Sequence, residues 1–208
     1  MVTLHHLNNS RSQRIIWLLE ELGGPYELVR YQRDAVTNLA PPELKAVNPL
    51  GKSPVITDGA VRIAESGAIV EYLVATYGAG RFQPAPDSPA HLVYLEWLHY
   101  AEGSAMLPLM LSFYLMRLGD GAAPLTSRVN SEIENNLTYM SNALGGGDYL
   151  MGAEFTGADV QISFVLEMAR AMGRLNAFPG LSAYVDRLHA RPAYRRAIEK
   201  GGVYTIGQ

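Results

Sequence analysis

Residues 1–31, MVTLHHLNNSRSQRIIWLLEELGGPYELVRY, change period twice in a short span. Val2, Leu4 and the two histidines that follow read as a short strand ending at Asn8-Asn9, where turn-forming side chains take over. Ile15, Leu18, Leu19 and Leu22 then fall at offsets of three and four and make one apolar stripe, and Gly23-Gly24-Pro25 stops that helix after Glu20-Glu21. Tyr26 to Tyr31 reads as a second strand. A strand, a helix and a strand in so few residues predict a right-handed parallel unit, because a twisted strand imposes that hand on its crossover.

Downstream, Pro54–Thr57 and Ala60–Ile63 flank Asp58-Gly59, a two-residue antiparallel hairpin signal. Glu65-Ser66 opens a helix with Ile69, Leu73 and Tyr77 on its periodic face, ending at Gly78. The order β-α-β, then β-β-α, is that of an α/β thioredoxin-like domain. Residues 79–90, AGRFQPAPDSPA, combine glycine and proline without an apolar period and read as a linker. Everything beyond reads as helix: a long segment from Ala90 to Leu118 kinked at Pro108, then Val129, Ile133, Leu137, Met140 and Leu144 at helical offsets, then two shorter helices around 181–189 and 192–200. Thr156-Gly157-Ala158-Asp159 before an apolar run is a capping-box pattern with aspartate in the acidic place. The expected division is thioredoxin-like 1–78, linker 79–90 and an all-α helical bundle over 91–208, with the tail from Gly201 as loop.

Composition narrows the function. With 208 residues, 48% of them hydrophobic, the chain can bury a sizeable core. Its 17 basic and 20 acidic side chains give a net charge of −3, which provides no general attraction for nucleic acid or an anionic membrane. No stretch approaches the roughly 20 apolar residues that cross a bilayer, so the expectation is a cytoplasmic protein. There is no cysteine, which removes disulfides, thiolate zinc sites and a cysteine nucleophile together. His5 and His6 point to opposite faces of a strand and no carboxylate accompanies them in a metal pattern, so no metal is expected. Arg187, Arg191, Arg195 and Arg196 read as a solvated helical face diluted by Asp186 and Glu199.

Four motifs in order, SRSQRIIWLLEELG at 10–23, NPLGKSPVI at 48–56, AESGAIVEYL at 64–73 and TGADV at 156–160, resemble the glutathione S-transferase family, and the likeness extends over essentially the whole chain. It implies an enzyme that binds glutathione as co-substrate and delivers its sulfur to small electrophiles, working as a homodimer. A free thiol has a pKa of about 8.5 and its nucleophilic form is the thiolate, so such an enzyme must lower that pKa. A hydroxyl held close to the sulfur does so by hydrogen bonding, with a helix N-terminus adding partial positive charge.

Ser10, four residues before Arg14, stands where family members with a catalytic serine carry it. Ser12 is the alternative; whichever serine does not serve the sulfur reads as a helix cap. Arg11 either adds positive potential over the sulfur or is solvated. Pro54 resembles the family's cis-proline, leaving the main chain of Ser53 to pair with the cysteinyl residue of glutathione, although most relatives carry valine or isoleucine at that place. Lys52 is either a partner of the glycyl carboxylate or a solvated hairpin lysine. The resemblance gives Ser66 the γ-glutamyl carboxylate, at a helix N-terminus suited to anions, and Glu65 the ammonium; Ser66 also reads as a plain N-cap. Glu102 lies where family dimers bring an acidic side chain across the interface toward the same ammonium; a helix-face glutamate is the plain alternative. Met106, Met110, Phe113 and Tyr114 read either as an adaptable electrophile pocket or as core at helical spacing. Leu92, Leu95, Trp97 and Leu98 occupy more than one face of the long helix, more than a single bundle seam requires. Isomerase, dehalogenase or peroxidase chemistry on the same thiolate, and a non-catalytic protein on the same scaffold, remain open on sequence alone.

Overall fold

The structure is a computed structural model that describes residues 1–206; Gly207 and Gln208, the end of the tail read as loop, lie outside the described residues. Strands β1 (Val2–Leu7), β2 (Tyr26–Tyr31), β3 (Val55–Asp58) and β4 (Val61–Ala64) form one sheet in the order β2-β1-β3-β4. β2 runs parallel to β1, while β3 is antiparallel to both β1 and β4. The hairpin turn is Gly59-Ala60, one residue later than the sequence suggests, because Asp58 still pairs with Val61 and only Gly59 takes a positive φ, of 58°. Asp58 instead accepts hydrogen bonds from the Tyr72 and Tyr77 hydroxyls.

Helix α1 (Ser12–Leu22) follows β1 and ends on Gly23, whose φ of 77° suits a left-handed cap. A single stripe was expected; instead Ser12 to Glu20 are all buried, because the sheet lies on one side of α1 and helices on the others. Trp17 packs against Phe155 and Tyr194, at 5.2 and 5.3 Å between ring centres. The short helix α2 (Pro42–Val47) has one buried residue, Leu44, and therefore leaves no period in the sequence. Helix α3 (Ser66–Tyr77) packs on α1 and the hairpin.

Residues 78–88 hold no helix or strand. The helical region then comprises α4 (Pro89–Tyr100), α5 (Met106–Leu115), α6 (Ala123–Leu144), α7 (Gly157–Ala171), α8 (Pro179–Ala190) and α9 (Pro192–Gly201). The break between α4 and α5 is a π-helical turn over Ala101–Ala105, a turn before Pro108 rather than at it. The reason is local: Pro108 offers no N–H to the carbonyl four residues back, at Ser104, so the ladder rearranges there.

Helix α9 returns to α1, and of the four arginines read as a solvated face Arg195 is exposed as expected while the other three are paired, two of them across that seam. Arg196 and Lys200 pair with Glu20 at 2.8 and 2.6 Å, and Arg191 pairs with Glu21 at 2.6 Å while lying over the Phe155 ring. Arg187 is bonded to the Asp148 carbonyl. The buried start of α7 is held as its sequence predicts: Asp159 accepts from the Thr156 N–H at 2.7 Å, and the Thr156 hydroxyl accepts from the Ala158 N–H. Asp159 also takes the Leu150 N–H at 3.0 Å and the Tyr184 hydroxyl at 2.5 Å.

Asp159→Ala strands these buried donors, and each unmatched buried group costs about 1–3 kcal/mol. Urea unfolding should show a loss of roughly 3 kcal/mol or more; a loss below about 1 kcal/mol would show that the cap does not hold this junction.

Candidate functional site

Five chain segments meet at one end of the sheet: the end of β1, the start of α1, the loop before β3, the start of α3 and the π-helical turn. Between them lie two adjoining cavities. A cleft of about 650 Å³ is lined by Ser10, Met110, Phe113, Tyr114, Phe164 and Met168 among others. A pocket of about 190 Å³ is lined by Asn48, Pro54, Glu65, Ser66 and Glu102. Arg11, Lys52 and Ser53 line both, so the two form one polar-to-apolar trough.

The two serines differ sharply. Ser10 is at the cleft, and its Oγ accepts the Ser12 N–H at 3.2 Å while its carbonyl accepts the Gln13 N–H at 3.1 Å, so it is Ser10 that closes the helix start. Ser12 does not cap. Its hydroxyl is fully buried and turns back onto β1, within 2.8 Å of His6 Nδ1, 2.7 Å of Ser10 Oγ and 3.3 Å of the Leu7 N–H. It has no access to a ligand, which leaves Ser10, itself largely buried, as the serine that lines the cleft at the helix N-terminus.

Arg14, one turn along, is buried with 1% of its side chain exposed. Nη1 donates to the Gln161 carbonyl on α7 at 2.5 Å, and Nη2 donates to Ser66 Oγ and to Glu102 at 2.5 Å. Phe164 lies against the guanidinium, and Nε finds no partner among the described residues. Burial pushes the Arg14 pKa down and Glu102 opposes it. Glu102 was expected to reach across a dimer interface; in this chain it belongs to the chain's own pocket, where Arg11 Nε binds it at 2.8 Å as well as Arg14. Burial alone would raise the Glu102 carboxyl, but the two arginines outweigh it and hold it below the usual range.

Ser66 is the first residue of α3 rather than its N-cap, which is Glu65. Its oxygen accepts from Arg14 and, at 3.3 Å, from Gln161 Nε2, so both lone pairs are taken and its own proton is left for the pocket. Glu65 is exposed beside it, on a backbone with φ of 70°, a region few non-glycine residues adopt. The Ser53–Pro54 bond is cis. The β1–β3 ladder ends at His5–Val55, and beyond it the Ser53 hydroxyl donates to the His5 carbonyl at 2.8 Å and accepts the Leu7 N–H at 3.2 Å. The unusual serine thus ties the loop to β1 through its side chain.

Of the four residues read as an electrophile pocket, Met110, Phe113 and Tyr114 line the cleft, but Met106, one turn earlier on the same side of α5, is buried in the core. Sequence reasoning missed Phe164, Met168, Thr205 and Ile206, which also line the cleft. Phe164 and Met168 are spaced to share one face of α7 and could have been found; Thr205 and Ile206 carry no pattern.

The model for the glutathione S-transferase N-terminal domain matches residues 1–75, and that for the C-terminal domain matches residues 120–200. The chain is 37% identical to glutathione S-transferase 3 of Schizosaccharomyces pombe, over 96% of this chain and 88% of that protein. It is 30% identical to glutathione S-transferase 1 of Saccharomyces cerevisiae, over 96% and 95%. A glutathione S-transferase structure from Actinobacillus pleuropneumoniae superposes with a TM-score of 0.91 at 34% identity, over 100% of this chain and 96% of that one. A family member from Pseudomonas fluorescens, solved with two glutathione bound, gives 0.78 at 26%, over 95% and 92%.

Removing Arg14 should unfold this junction first. Arg14→Met should lower stability by roughly 3 kcal/mol, as loss of one partner of a buried pair does. Glu102 adds a pH signature. Its carboxyl is depressed below the ordinary 4.5, so its stabilisation is complete above that value and is lost as the pH falls through the lower folded value. The stability gap between the wild type and Glu102→Gln should therefore shrink on acidification; a gap that does not change with pH would contradict the pairing.

Proposed function

The chain belongs to the glutathione S-transferase family, and on that footing we propose that it conjugates the thiolate of glutathione to small, mostly apolar electrophiles in this trough. The observation that carries the reading is the position of the Ser10 hydroxyl. It lines the cleft able to hold a second substrate, next to Arg11, which lines both that cleft and the polar pocket suited to an amino-acid head.

Ser66 takes the γ-glutamyl carboxylate with its free proton and the N-terminal amides of α3, where the helix dipole favours an anion. Glu65 takes the ammonium. The carboxylate of Glu102, already shared by two arginines, offers that ammonium a second partner and sets the charge of the pocket. The main chain of Ser53 pairs with the cysteinyl residue as a short ladder, and Lys52 holds the glycyl carboxylate. These contacts place the sulfur at Ser10, whose hydroxyl stabilises the thiolate by a charge-assisted hydrogen bond, with Arg11 adding positive potential.

Met110, Phe113 and Tyr114, with Phe164 and Met168, receive the electrophile, and thiolate activation with proximity supplies the rate. The reaction needs no metal. The protein acts in the cytoplasm, and it does so as a two-fold homodimer; the dimer is supported by exposed apolar residues along α4 and α5, where Leu92 is 69% exposed and Leu107 56%. Sedimentation velocity should show a dimer that Leu92→Glu with Leu107→Glu dissociates; a monomeric wild type would overturn this part.

Ser10→Ala should raise the pKa of bound glutathione by roughly one to two units, the worth of a hydrogen bond to a charged group, with affinity nearly unchanged. Thiolate absorbance against pH measures it; an unchanged pKa would remove Ser10 from the reaction. Ser66→Ala and Glu65→Gln should each weaken glutathione binding about tenfold in calorimetric titration, the first by losing a hydrogen bond to a charged group and the second by losing the negative charge that strengthens the bond to the ammonium. Wild-type affinity in both would leave the start of α3 as structure only.

A further inference from the structure

Hydrogen bonds have a direction, and the chain of groups behind Ser10 admits one. His6 Nε2 lies 3.0 Å from the Gly201 carbonyl oxygen, which can only accept, so the ring carries its proton on Nε2. Burial pushes this imidazole down to about 4, with Arg30 of the neighbouring strand acting the same way against the pull of the Gly201 carbonyl, so the ring is neutral at physiological pH. Neutral with Nε2–H, it presents a bare lone pair at Nδ1, buried and 2.8 Å from Ser12 Oγ. Ser12 must donate there; the Leu7 carbonyl, at 3.3 Å, is the weaker place for that proton. Having given its proton to His6, Ser12 Oγ can only accept from its other neighbours, which are the Leu7 N–H at 3.3 Å and Ser10 Oγ at 2.7 Å. Ser10 therefore donates inward.

From this polarity we infer that Ser12 and His6 are positioning residues that hold the Ser10 proton away from the cleft, so that the empty site offers glutathione a lone pair and the thiolate must draw the Ser10 proton out of an existing hydrogen bond. The inference rests on Ser10 being the thiolate partner. A protonated thiol meets the resting arrangement directly, with S–H donating to Ser10 Oγ. After the thiol proton has left to solvent, the Ser10 hydroxyl rotates to donate to the sulfur, and Ser10 and Ser12 are left with lone pairs facing each other at 2.7 Å. Ser12 thus competes with the thiolate for one proton. The thiol pKa of the bound tripeptide is set by that competition, not by Ser10 alone.

Two measurements test it. Long-range proton–nitrogen correlation spectra of the free protein, with the His6 signals assigned by their loss in His6→Gln, should show a neutral ring protonated at Nε2. A ring protonated at Nδ1, or doubly protonated at neutral pH, reverses the chain and overturns the inference whether or not Ser10 serves the thiolate. In thiolate titrations, Ser12→Ala should lower the pKa of bound glutathione by roughly half to one unit, the worth of one neutral hydrogen bond, opposite in sign to Ser10→Ala. The same change in a Ser10→Ala background should do nothing. A Ser12→Ala pKa that rises or stays put, while Ser10→Ala raises it, would overturn the competition and leave Ser10 in its role; an unchanged pKa in Ser10→Ala would remove both.

Discussion

A guanidinium buried between helices demands that its donors be met, and Arg14 meets that demand with groups from three parts of the chain. Its partners are the Gln161 carbonyl on α7, the Glu102 carboxylate on the π-helical turn and the Ser66 hydroxyl at the start of α3. One side chain on α1 therefore fixes the distance between the sheet region and the helical region at the point where the cavity opens. The π-helical turn matters here because it lies one turn before Pro108 and carries Glu102 into the pocket.

The same contacts decide what the pocket can bind. Arg14 and Gln161 occupy the acceptor capacity of Ser66, so this hydroxyl faces the pocket as a donor, as a carboxylate requires. Ser10 is the opposite case: its proton is drawn inward by Ser12 and His6, and it faces the cleft as an acceptor until an anion turns it. Two serines at two helix starts, equivalent by residue type, are given opposite polarity by what stands behind them. A recognition site gains from a fixed donor, whereas a site that meets both thiol and thiolate needs a hydroxyl that can reverse.

Much of the fold was legible because its signals are local. The period changes in residues 1–31, the turn glycines and the Thr156–Asp159 cap each lie within a few residues of what they specify. Most site positions were legible for the same reason, at strand ends and helix starts in recognisable motifs. What the sequence could not carry was partnership across distance. The ion pairs of Arg191 and Arg196 with Glu21 and Glu20 join the two ends of the chain, so those arginines read as solvated. Ser12 looked like a cap because its other partner, His6, is oriented by a carbonyl at Gly201. Met106 looked like Met110 because the two share one side of α5, and a helical period does not say how far along the helix the cleft extends. Thr205 and Ile206 reach the cleft by a path that leaves no pattern at all.

The most direct test is a crystal structure of the protein with glutathione bound. The account predicts the γ-glutamyl carboxylate on the Ser66 hydroxyl and the first amides of α3, the ammonium against Glu65, Arg14 still bridging Glu102 and Gln161, and the sulfur within hydrogen-bonding distance of Ser10 Oγ. A tripeptide seated in this trough with its sulfur turned away from Ser10 onto another donor, or one whose head displaces Arg14 from Ser66, would contradict it.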